Sequence, residues 1–233
     1  MVKAVIFDMF ETLASLFDGK AYFGEDMAAD IGIPYEAFRD PWHATEDERT
    51  LGRMTIEEGI GAALRVVGAY SEENVQLLAG KRRASLDDTF SAIPKESDAL
   101  LQHLHDKGIK TGLISNCFSD EAEYIRNCRL YPLLDAAMLS YEQGIGKPDP
   151  AIYLKIIELL DVRPEECIYV GDGGSNELFT AREVGMKPIQ ALWFRPGMYD
   201  PHIPSPVYDE FLHAEIQADI ERILNEILCQ IAT

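Results

Sequence analysis

Four groups of polar residues follow apolar runs in the sequence, and together they suit the transfer of an anionic group. The groups are Asp8 with Thr12, Ser115 with Asn116, Lys147 alone, and Asp172 with Glu177. An aspartate carboxylate can act as a nucleophile, because a covalent intermediate splits one difficult displacement into two easier ones. Asp8 directly follows the apolar run at residues 2–7 and is therefore the candidate nucleophile. A turn or helix-cap role is the alternative for a single aspartate at the end of a strand.

Asp172 and Glu177 supply two further carboxylates, which indicate a divalent metal ion. If Asp172 approaches Asp8 to about 4 Å, the two carboxylates repel by about 4 kcal/mol at an effective dielectric of about 20, and a cation removes that cost. Oxygen ligands beside a phosphate group are the preference of Mg²⁺, so Mg²⁺ is the expected cofactor. Glu177 lies one helical turn further along and is expected to hold a metal-bound water. An exposed helix carboxylate is the alternative reading of Glu177.

Lys147 lies in the segment GIGKPDP, where two prolines stiffen the chain and delay the start of the next helix. A fixed ammonium group there is expected to orient Asp8 and to neutralise an anionic substrate, although most lysines are surface residues. Ser115, Asn116 and Thr12 offer short hydrogen-bond donors for anionic oxygens. Each of these three would, taken alone, more often be a cap or turn residue.

The elements that carry these residues alternate between strand and helix. Apolar runs rich in β-branched residues lie at residues 2–7, 110–115, 136–139, 167–171 and 188–192. Helical patterns precede the last four runs, at residues 96–107, 120–128, 150–160 and 175–184. This alternation predicts the α/β class, with a doubly wound, Rossmann-like parallel sheet and right-handed crossovers. Ligands of such sheets bind outside the carboxyl ends of the strands, where the polar groups stand.

Residues 17–90 interrupt the alternation, because they show helical periodicity and no buried strand. Four helices are predicted there, at residues 25–31, 35–51, 55–67 and 72–85. We expect residues 17–90 to form an inserted α-helical cap on a catalytic core of residues 1–16 and 91–233. Residues 17–23 and 91–94 are the expected hinges, and residues 209–227 are expected to form a closing helix.

Composition excludes several classes of partner. The chain has 21 Lys and Arg against 40 Asp and Glu, a net charge of −19, so its surface repels nucleic acid and anionic membranes. No stretch is long and apolar enough to span a bilayer, and the run before Asp8 lacks the features of a signal peptide. The four cysteines form no CxxC pair, which fits a reducing compartment. We therefore expect a cytoplasmic protein with a small anionic substrate.

Four strings in order, FDMFETL, LISN, GIGKPDPAIY and YVGDGGSNE, carry a resemblance over nearly the whole chain. Each string is weak alone, but their order and spacing resemble the haloacid dehalogenase superfamily of hydrolases. The resemblance implies that Asp8 is the nucleophile and that Asp172 binds Mg²⁺. It also implies that Thr12 and Ser115 bind the transferred group, that Lys147 stabilises it, and that the inserted helices select substrates.

Phe10 departs from the pattern of the phosphatases in this superfamily. Those enzymes usually carry a second aspartate two residues after the nucleophile, which protonates the leaving oxygen. An aromatic residue at this place is similar to the 2-haloacid dehalogenases, whose halide leaves without a proton. The fourth string points the other way, because those dehalogenases need no metal and typically lack the pair Gly171 and Asp172. We expect the Phe10 side chain to bind substrate and its main-chain carbonyl to bind the metal.

Three functions follow from these residues. The first is Mg²⁺-dependent hydrolysis of a small phosphate ester by an aspartate nucleophile. The second is hydrolysis of a carbon–halogen bond by a 2-haloacid dehalogenase, for which Arg39, Arg49 and Arg53 are candidates to bind the substrate carboxylate. The third is a non-catalytic binding protein on the same fold, for which Phe10 is the sole support.

Overall fold

The computed structural model of this protein describes residues 1–17, 21–195 and 206–231, with side chains to residue 226. Six parallel strands form one sheet: β1 Ala4–Phe7, β2 Lys110–Ser115, β3 Ala136–Leu139, β4 Cys167–Gly171, β5 Lys187–Ala191 and β6 Leu212–Ala214. Their order is β3-β2-β1-β4-β5-β6, so the chain builds outward from β1 in one direction and then from β4 in the other. The α/β, doubly wound, Rossmann-like fold is therefore confirmed. Its switch point lies between β1 and β4.

Helices connect these strands and flank the sheet. Their bounds are α1 Gly24–Asp30, α2 Tyr35–His43, α3 Glu46–Thr50, α4 Ile56–Val66, α5 Glu72–Ser91, α6 Lys95–Asp106, α7 Ser119–Asn127, α8 Ser140–Gln143, α9 Pro150–Leu159, α10 Glu177–Glu183 and α11 Ala218–Ile231. Within the described residues, no helix has both the length and the apolar character to cross a membrane.

Both faces of the sheet are buried, because successive side chains of β1 point in opposite directions. Val5 and Phe7 join a cluster that includes residues of α6 and α11, whereas Ala4 and Ile6 join a second cluster with residues of α9 and α10. A sheet covered on both sides explains why its strands are continuous apolar runs without polar alternation. The strands are thus held rigidly, and their carboxyl ends are fixed relative to one another.

Helices α1 to α5 all lie between β1 and β2 in the sequence, and α1, α2, α4 and α5 share a core of their own. Its buried side chains include Met27, Phe38, Ile60, Leu64 and Leu78. This separate apolar cluster agrees with the expectation of an inserted helical unit. The boundaries after residue 16 and after residue 90 stay predictions, and α5 continues to Ser91.

The single helix predicted at residues 35–51 is wrong, since the chain forms α2 and α3 instead, and the insertion has five helices rather than four. The break falls at Thr45, whose hydroxyl donates to the Trp42 carbonyl and accepts from Arg49 Nε. Such a bond gives the backbone an alternative to the helical ladder. Pro41, which lacks an N–H, further weakens the last turn of α2.

The closing helix predicted at residues 209–227 is also partly wrong. The segment first adds the edge strand β6 beside β5, and α11 begins only at Ala218. The carboxylate of Asp219 accepts hydrogen bonds from the backbone N–H groups of Glu215 and Ile216, which fixes the turn before this helix. A three-residue edge strand is too short to produce a distinct apolar run.

Candidate active site

The site lies where β1 and β4 end side by side. Phe7 pairs with Val170 in the sheet, and the backbone N–H of Asp8 donates to the Val170 carbonyl at 2.9 Å. Asp8 therefore leaves β1 next to Asp172, the first residue after β4. This is the switch point of the sheet, where α/β proteins of this topology bind their ligands.

Lys147 forms ion pairs with two buried carboxylates at this point. Its Nζ lies 2.6 Å from Asp8 Oδ1 and 2.5 Å from Glu177 Oε2. Burial acts to lower the pKa of Lys147, but the two carboxylates outweigh it and raise that pKa, so the ammonium stays charged. The expectation that Lys147 orients Asp8 agrees with this geometry.

Glu177 is fully buried at the start of α10, so the alternative of an exposed helix carboxylate is wrong. Its Oε1 accepts from the Gly173 N–H at 3.1 Å, and its Oε2 accepts from the Tyr169 hydroxyl at 2.7 Å as well as from Lys147. The carboxylate lies directly against Gly171, where an added Cβ atom would stand 2.0 Å from Oε1. Glycine at 171 therefore allows this close approach, and a larger residue there would force the Glu177 carboxylate to move.

Three carboxylates form a candidate metal site. One oxygen from each of Asp8, Asp172 and Glu177 can be chosen so that all three lie within 4.8 Å of one another. Burial raises the pKa of Asp8 to about 8, and repulsion by Glu177 and Asp172 adds to the rise, while Lys147 opposes it. A divalent cation would reverse that repulsion, and an all-oxygen donor set of this kind fits Mg²⁺.

Asn116 follows β2 directly and bonds to the backbone of Lys147. Its Nδ2 donates to the Lys147 carbonyl at 2.8 Å, and its Oδ1 accepts from the Lys147 N–H at 2.7 Å. These two hydrogen bonds hold the loop that carries Lys147 against the end of β2. Both polar atoms of Asn116 thus have a backbone partner, and its role as a substrate donor stays a prediction.

Ser115 and Thr12 are both buried beside these residues. The Ser115 hydroxyl makes a long contact of 3.4 Å to the Asn116 carbonyl. Among the described residues, the Thr12 Oγ1 is buried without a hydrogen-bond partner. Because buried hydroxyls are normally bonded, these two groups remain available for the oxygens of a bound anion. Their assignment to the transferred group stays a prediction.

Phe10 packs against an aromatic side chain of the inserted helices. Its ring is half-buried and stands edge-to-face with Phe90, near the end of α5, with ring centroids 6.3 Å apart. Phe90 in turn contacts Tyr124 of α7 at 5.5 Å. Phe10 therefore belongs to an aromatic contact at the junction between the inserted helices and the sheet. Its main-chain carbonyl as a metal ligand stays a prediction.

The three candidate arginines of the inserted helices differ in their surroundings. Arg39 and Arg53 are exposed and pair with neighbouring surface carboxylates. Arg49 is buried, with its guanidinium 3.5 Å from the centroid of the Trp42 ring and 4.2 Å from that of Phe118. Burial lowers the pKa of Arg49 to about 10. Arg49 therefore packs between Trp42 and Phe118, but its Nη1 is buried without a hydrogen-bond partner among the described residues, and its role on a substrate carboxylate stays a prediction.

A buried ion cluster at the same contact was not foreseen from the sequence. Arg82 of α5 bonds to Asp120 at 2.6 Å and to Glu121, both in the first turn of α7. Nearby, the Ser119 hydroxyl accepts from the Ile56 N–H at the start of α4. These residues follow the Ser115–Asn116 pair in the chain, so the inserted helices are anchored beside the site. Residues 82 and 120 are too distant in sequence for any local pattern to reveal their pairing.

Comparison with known proteins gives curated relatives and solved structures of similar fold. The chain is 27% identical to a glyceraldehyde 3-phosphate phosphatase of Methanopyrus kandleri over 210 residues, which are 85% of this chain and 86% of that protein. Two other curated relatives align over 37% and 46% of this chain, and the chain spans only 34% and 43% of their lengths.

Solved structures share the fold at lower identity. A 2-haloacid dehalogenase from Pseudomonas syringae pv. Tomato matches with a TM-score of 0.69 and 23% identity, over 97% of this chain and 99% of that one. A haloacid dehalogenase family enzyme from Bacteroides thetaiotaomicron, in complex with magnesium and inorganic phosphate, matches with a TM-score of 0.62 and 18% identity, over 82% and 94% of the two chains.

The model of one protein family covers most of the chain. Residues 2–185 match the haloacid dehalogenase-like hydrolases, and this range includes every strand end that carries a candidate site residue. The resemblance found in the four sequence strings is thus confirmed. This chain belongs to the haloacid dehalogenase-like hydrolase family.

Proposed function

We propose that this protein hydrolyses a small phosphate ester with Mg²⁺, and that Asp8 is the nucleophile. The observation that carries the proposal is the cluster of three carboxylates, Asp8, Asp172 and Glu177, with the ammonium of Lys147 on Asp8. A dehalogenase has no need to gather acidic groups around its nucleophile, since they would repel an anionic substrate. A metal-dependent phosphatase needs them.

The proposed reaction has two displacement steps. A carboxylate oxygen of Asp8 bonds to phosphorus while the ester P–O bond breaks, and the leaving oxygen departs with the bonding electrons and takes a proton from solvent or from the substrate itself. Water then attacks the aspartyl phosphate, which releases inorganic phosphate and restores the carboxylate. Lys147 offsets negative charge on Asp8 throughout. Mg²⁺ bound by the carboxylates would neutralise charge on the phosphoryl oxygens.

The proton for the leaving oxygen has no evident donor at position 10. Phe10 has no acidic group, and the neighbouring Glu11 carboxylate accepts from the Ser15 hydroxyl at 2.9 Å and from the Leu16 N–H at 2.7 Å. Glu11 is thus held by its own loop. We infer a substrate whose leaving group departs easily, or one that carries its own acidic group.

The names of relatives support a phosphate ester. Glyceraldehyde 3-phosphate phosphatases of three archaea, and a phosphoserine phosphatase of Thermus thermophilus, are among the curated relatives. Short phosphorylated metabolites are therefore the first substrates to test. A cytoplasmic location and the absence of a nucleic-acid partner stay predictions from charge and composition.

Dehalogenation is the second candidate, and Phe10 favours it. An aromatic residue at position 10 resembles the first motif of the 2-haloacid dehalogenases. Among the described residues, the buried arginines that could receive a substrate carboxylate are Arg49 and Arg82. Arg82 is engaged in ion pairs, whereas Arg49 stacks on aromatic rings and keeps a buried Nη1 without a hydrogen-bond partner in the part of the chain that the structure describes. Arg49 is therefore the buried arginine that the second candidate would need for a substrate carboxylate.

A paired assay separates the two candidates. The purified protein is given a panel of phosphate esters and, separately, 2-chloropropionate, and released phosphate and halide are measured with Mg²⁺ and with excess chelator. We expect Mg²⁺-dependent phosphate release, and halide release that persists in chelator would contradict the proposal. Asp8→Asn serves as the control, because the amide is nearly isosteric but a poor nucleophile. Its activity is expected to vanish while its circular dichroism spectrum stays unchanged.

A further inference from the structure

A buried tyrosine lies beneath the ion pair that holds the nucleophile. Tyr169 is in β4, and its side chain is fully buried on the sheet face that packs against α9 and α10. Its hydroxyl donates to Glu177 Oε2 at 2.7 Å and accepts from Lys147 Nζ at 3.4 Å. Lys147, Glu177 and Tyr169 thus form a closed triangle of polar contacts below Asp8.

The triangle restricts where the ammonium of Lys147 can lie. A lysine side chain has several rotatable bonds and a point charge, so a single carboxylate does not define its position. Here Asp8 Oδ1 lies 2.6 Å from Nζ, Glu177 Oε2 lies 2.5 Å from it, and the tyrosine oxygen supplies a third acceptor. Three acceptors match the three N–H groups of an ammonium. Removing one of these acceptors leaves one N–H group of the ammonium without a partner in a buried site.

The tyrosine also fixes the carboxylate that Lys147 depends on. Glu177 Oε1 is held by the Gly173 N–H at 3.1 Å, and Oε2 is held on the opposite side by the Tyr169 hydroxyl. With both oxygens anchored, the carboxylate plane cannot rotate, and Oε2 continues to face Lys147. A phenyl ring at 169 would keep the packing and lose this anchor.

We propose that Tyr169 is a positioning residue, whose hydroxyl keeps Lys147 on the nucleophile Asp8 by contacts to Lys147 and to Glu177. The proposal rests on the proposed function of Asp8 and adds to it a residue that touches neither substrate nor metal.

Tyr153 provides a matched control. It is also fully buried on the same sheet face, and its ring centroid lies 5.5 Å from that of Tyr169. Its hydroxyl donates instead to the main-chain carbonyl of Glu177, at 3.3 Å. Tyr153→Phe therefore removes an equivalent buried hydroxyl, which contacts Glu177 and Tyr169, and leaves the direct contacts of Lys147 with Asp8, Glu177 and Tyr169 in place.

The first experiment compares the kinetics of the two variants on an aryl phosphate with saturating Mg²⁺. For Tyr169→Phe we expect kcat to fall about tenfold, because one charge-assisted hydrogen bond is lost. We expect KM to change by less than about twofold. For Tyr153→Phe we expect kcat within about twofold of the parent. Equal losses in both variants would overturn the proposal, because they would reflect a general effect of core hydroxyls.

The second experiment does not depend on activity. In a ¹H–¹⁵N correlation spectrum of lysine ammonium groups, Lys147 should give a slowly exchanging signal, assigned by its loss in Lys147→Arg. We expect this signal to weaken strongly in Tyr169→Phe and to persist in Tyr153→Phe. In the parent protein, a nuclear Overhauser effect should join the Tyr169 hydroxyl proton to the Lys147 ammonium protons. Its absence would overturn the proposal even if a variant failed to fold.

The two experiments separate the failure of this inference from failure of the proposed function. A parent enzyme that releases no phosphate but shows the expected ammonium signals would refute the phosphatase activity and leave the positioning contact established. Active parent enzyme with an unchanged Lys147 signal in Tyr169→Phe would refute the positioning role alone.

Discussion

The contact between α5 and α7 gives a sharp test of buried against exposed ion pairs. Arg82 and Arg83 are adjacent residues of α5, and each pairs with carboxylates through its guanidinium. The Arg82 side chain is 10% exposed and its partner Asp120 is fully buried, whereas the Arg83 side chain is 38% exposed and its partner Glu57 is 28% exposed. Replacing each arginine with methionine keeps most of the side-chain length and removes the charge together with its hydrogen-bond donors.

The expected losses differ because solvent cannot compensate at the buried position. Removing Arg82 leaves Asp120 and Glu121 as uncompensated buried charges, which costs about 3–5 kcal/mol of the free energy of unfolding. Removing Arg83 breaks a pair that water and salt already screen, which costs about 0–1 kcal/mol. At about 2–4 °C per kcal/mol for a chain of this length, Tm should fall by about 6–20 °C for Arg82→Met and by less than about 4 °C for Arg83→Met.

The measurement is thermal unfolding of both variants as a function of pH. Burial already raises the pKa of Glu121 in the parent, although Arg82 opposes the rise, and loss of Arg82 raises it further. A raised carboxylate pKa destabilises the folded state above that pKa, so the deficit of Arg82→Met should shrink as pH falls toward the ordinary glutamate pKa of about 4.3. Equal Tm losses in the two variants, or a deficit independent of pH, would refute this account of the contact.

Further predictions concern the site itself. Asp172→Ala, or excess chelator, should abolish phosphate release, because the cation screens the attacking carboxylate and the phosphoryl oxygens together; full activity in chelator would favour dehalogenation. Aryl phosphates should be hydrolysed about 10²–10⁴ times faster than matched alkyl phosphates, because Phe10 offers no proton, and Phe10→Asp should narrow that gap in rates. Gly171→Ala should lower kcat sharply without unfolding the protein, because the new Cβ would displace the Glu177 carboxylate; a parent-like kcat would show that Glu177 can move freely.

The sheet was predictable because its strands are buried on both faces. β2, β3 and β4 begin and end at the residues expected from their apolar runs, and the polar side chains that follow them do meet at the switch point. Neither β6 nor the break at Thr45 was predictable in this way. The first is too short to form a pattern, and the second depends on a side-chain bond inside a segment of helical periodicity.

The site was predictable as a set of residues and less so as a set of contacts. Glu177 at the start of a helix looks like a solvent-facing acid, and only the packing of α10 against Gly171 shows that it is buried. Tyr169 lies in an apolar strand, where the sequence alone predicts that a tyrosine is a core residue without a polar role. Asn116 looks like a donor to substrate, and its partner Lys147 is 31 residues away. Contacts of this range follow from the topology and not from spacing.

The two hydrogen bonds between Asn116 and the backbone of Lys147 limit how the loop that carries Lys147 can be redesigned. A Cβ atom at Gly146 would stand 2.7 Å from Asn116 Oδ1, so any larger residue there would displace the amide that holds the backbone of Lys147. A mutant library that varies Gly146 alone should consist mostly of members in which the Asn116 amide is displaced. Positions 116 and 146 should instead be randomised as a pair, or transplanted as a pair when the loop is grafted into another member of the family.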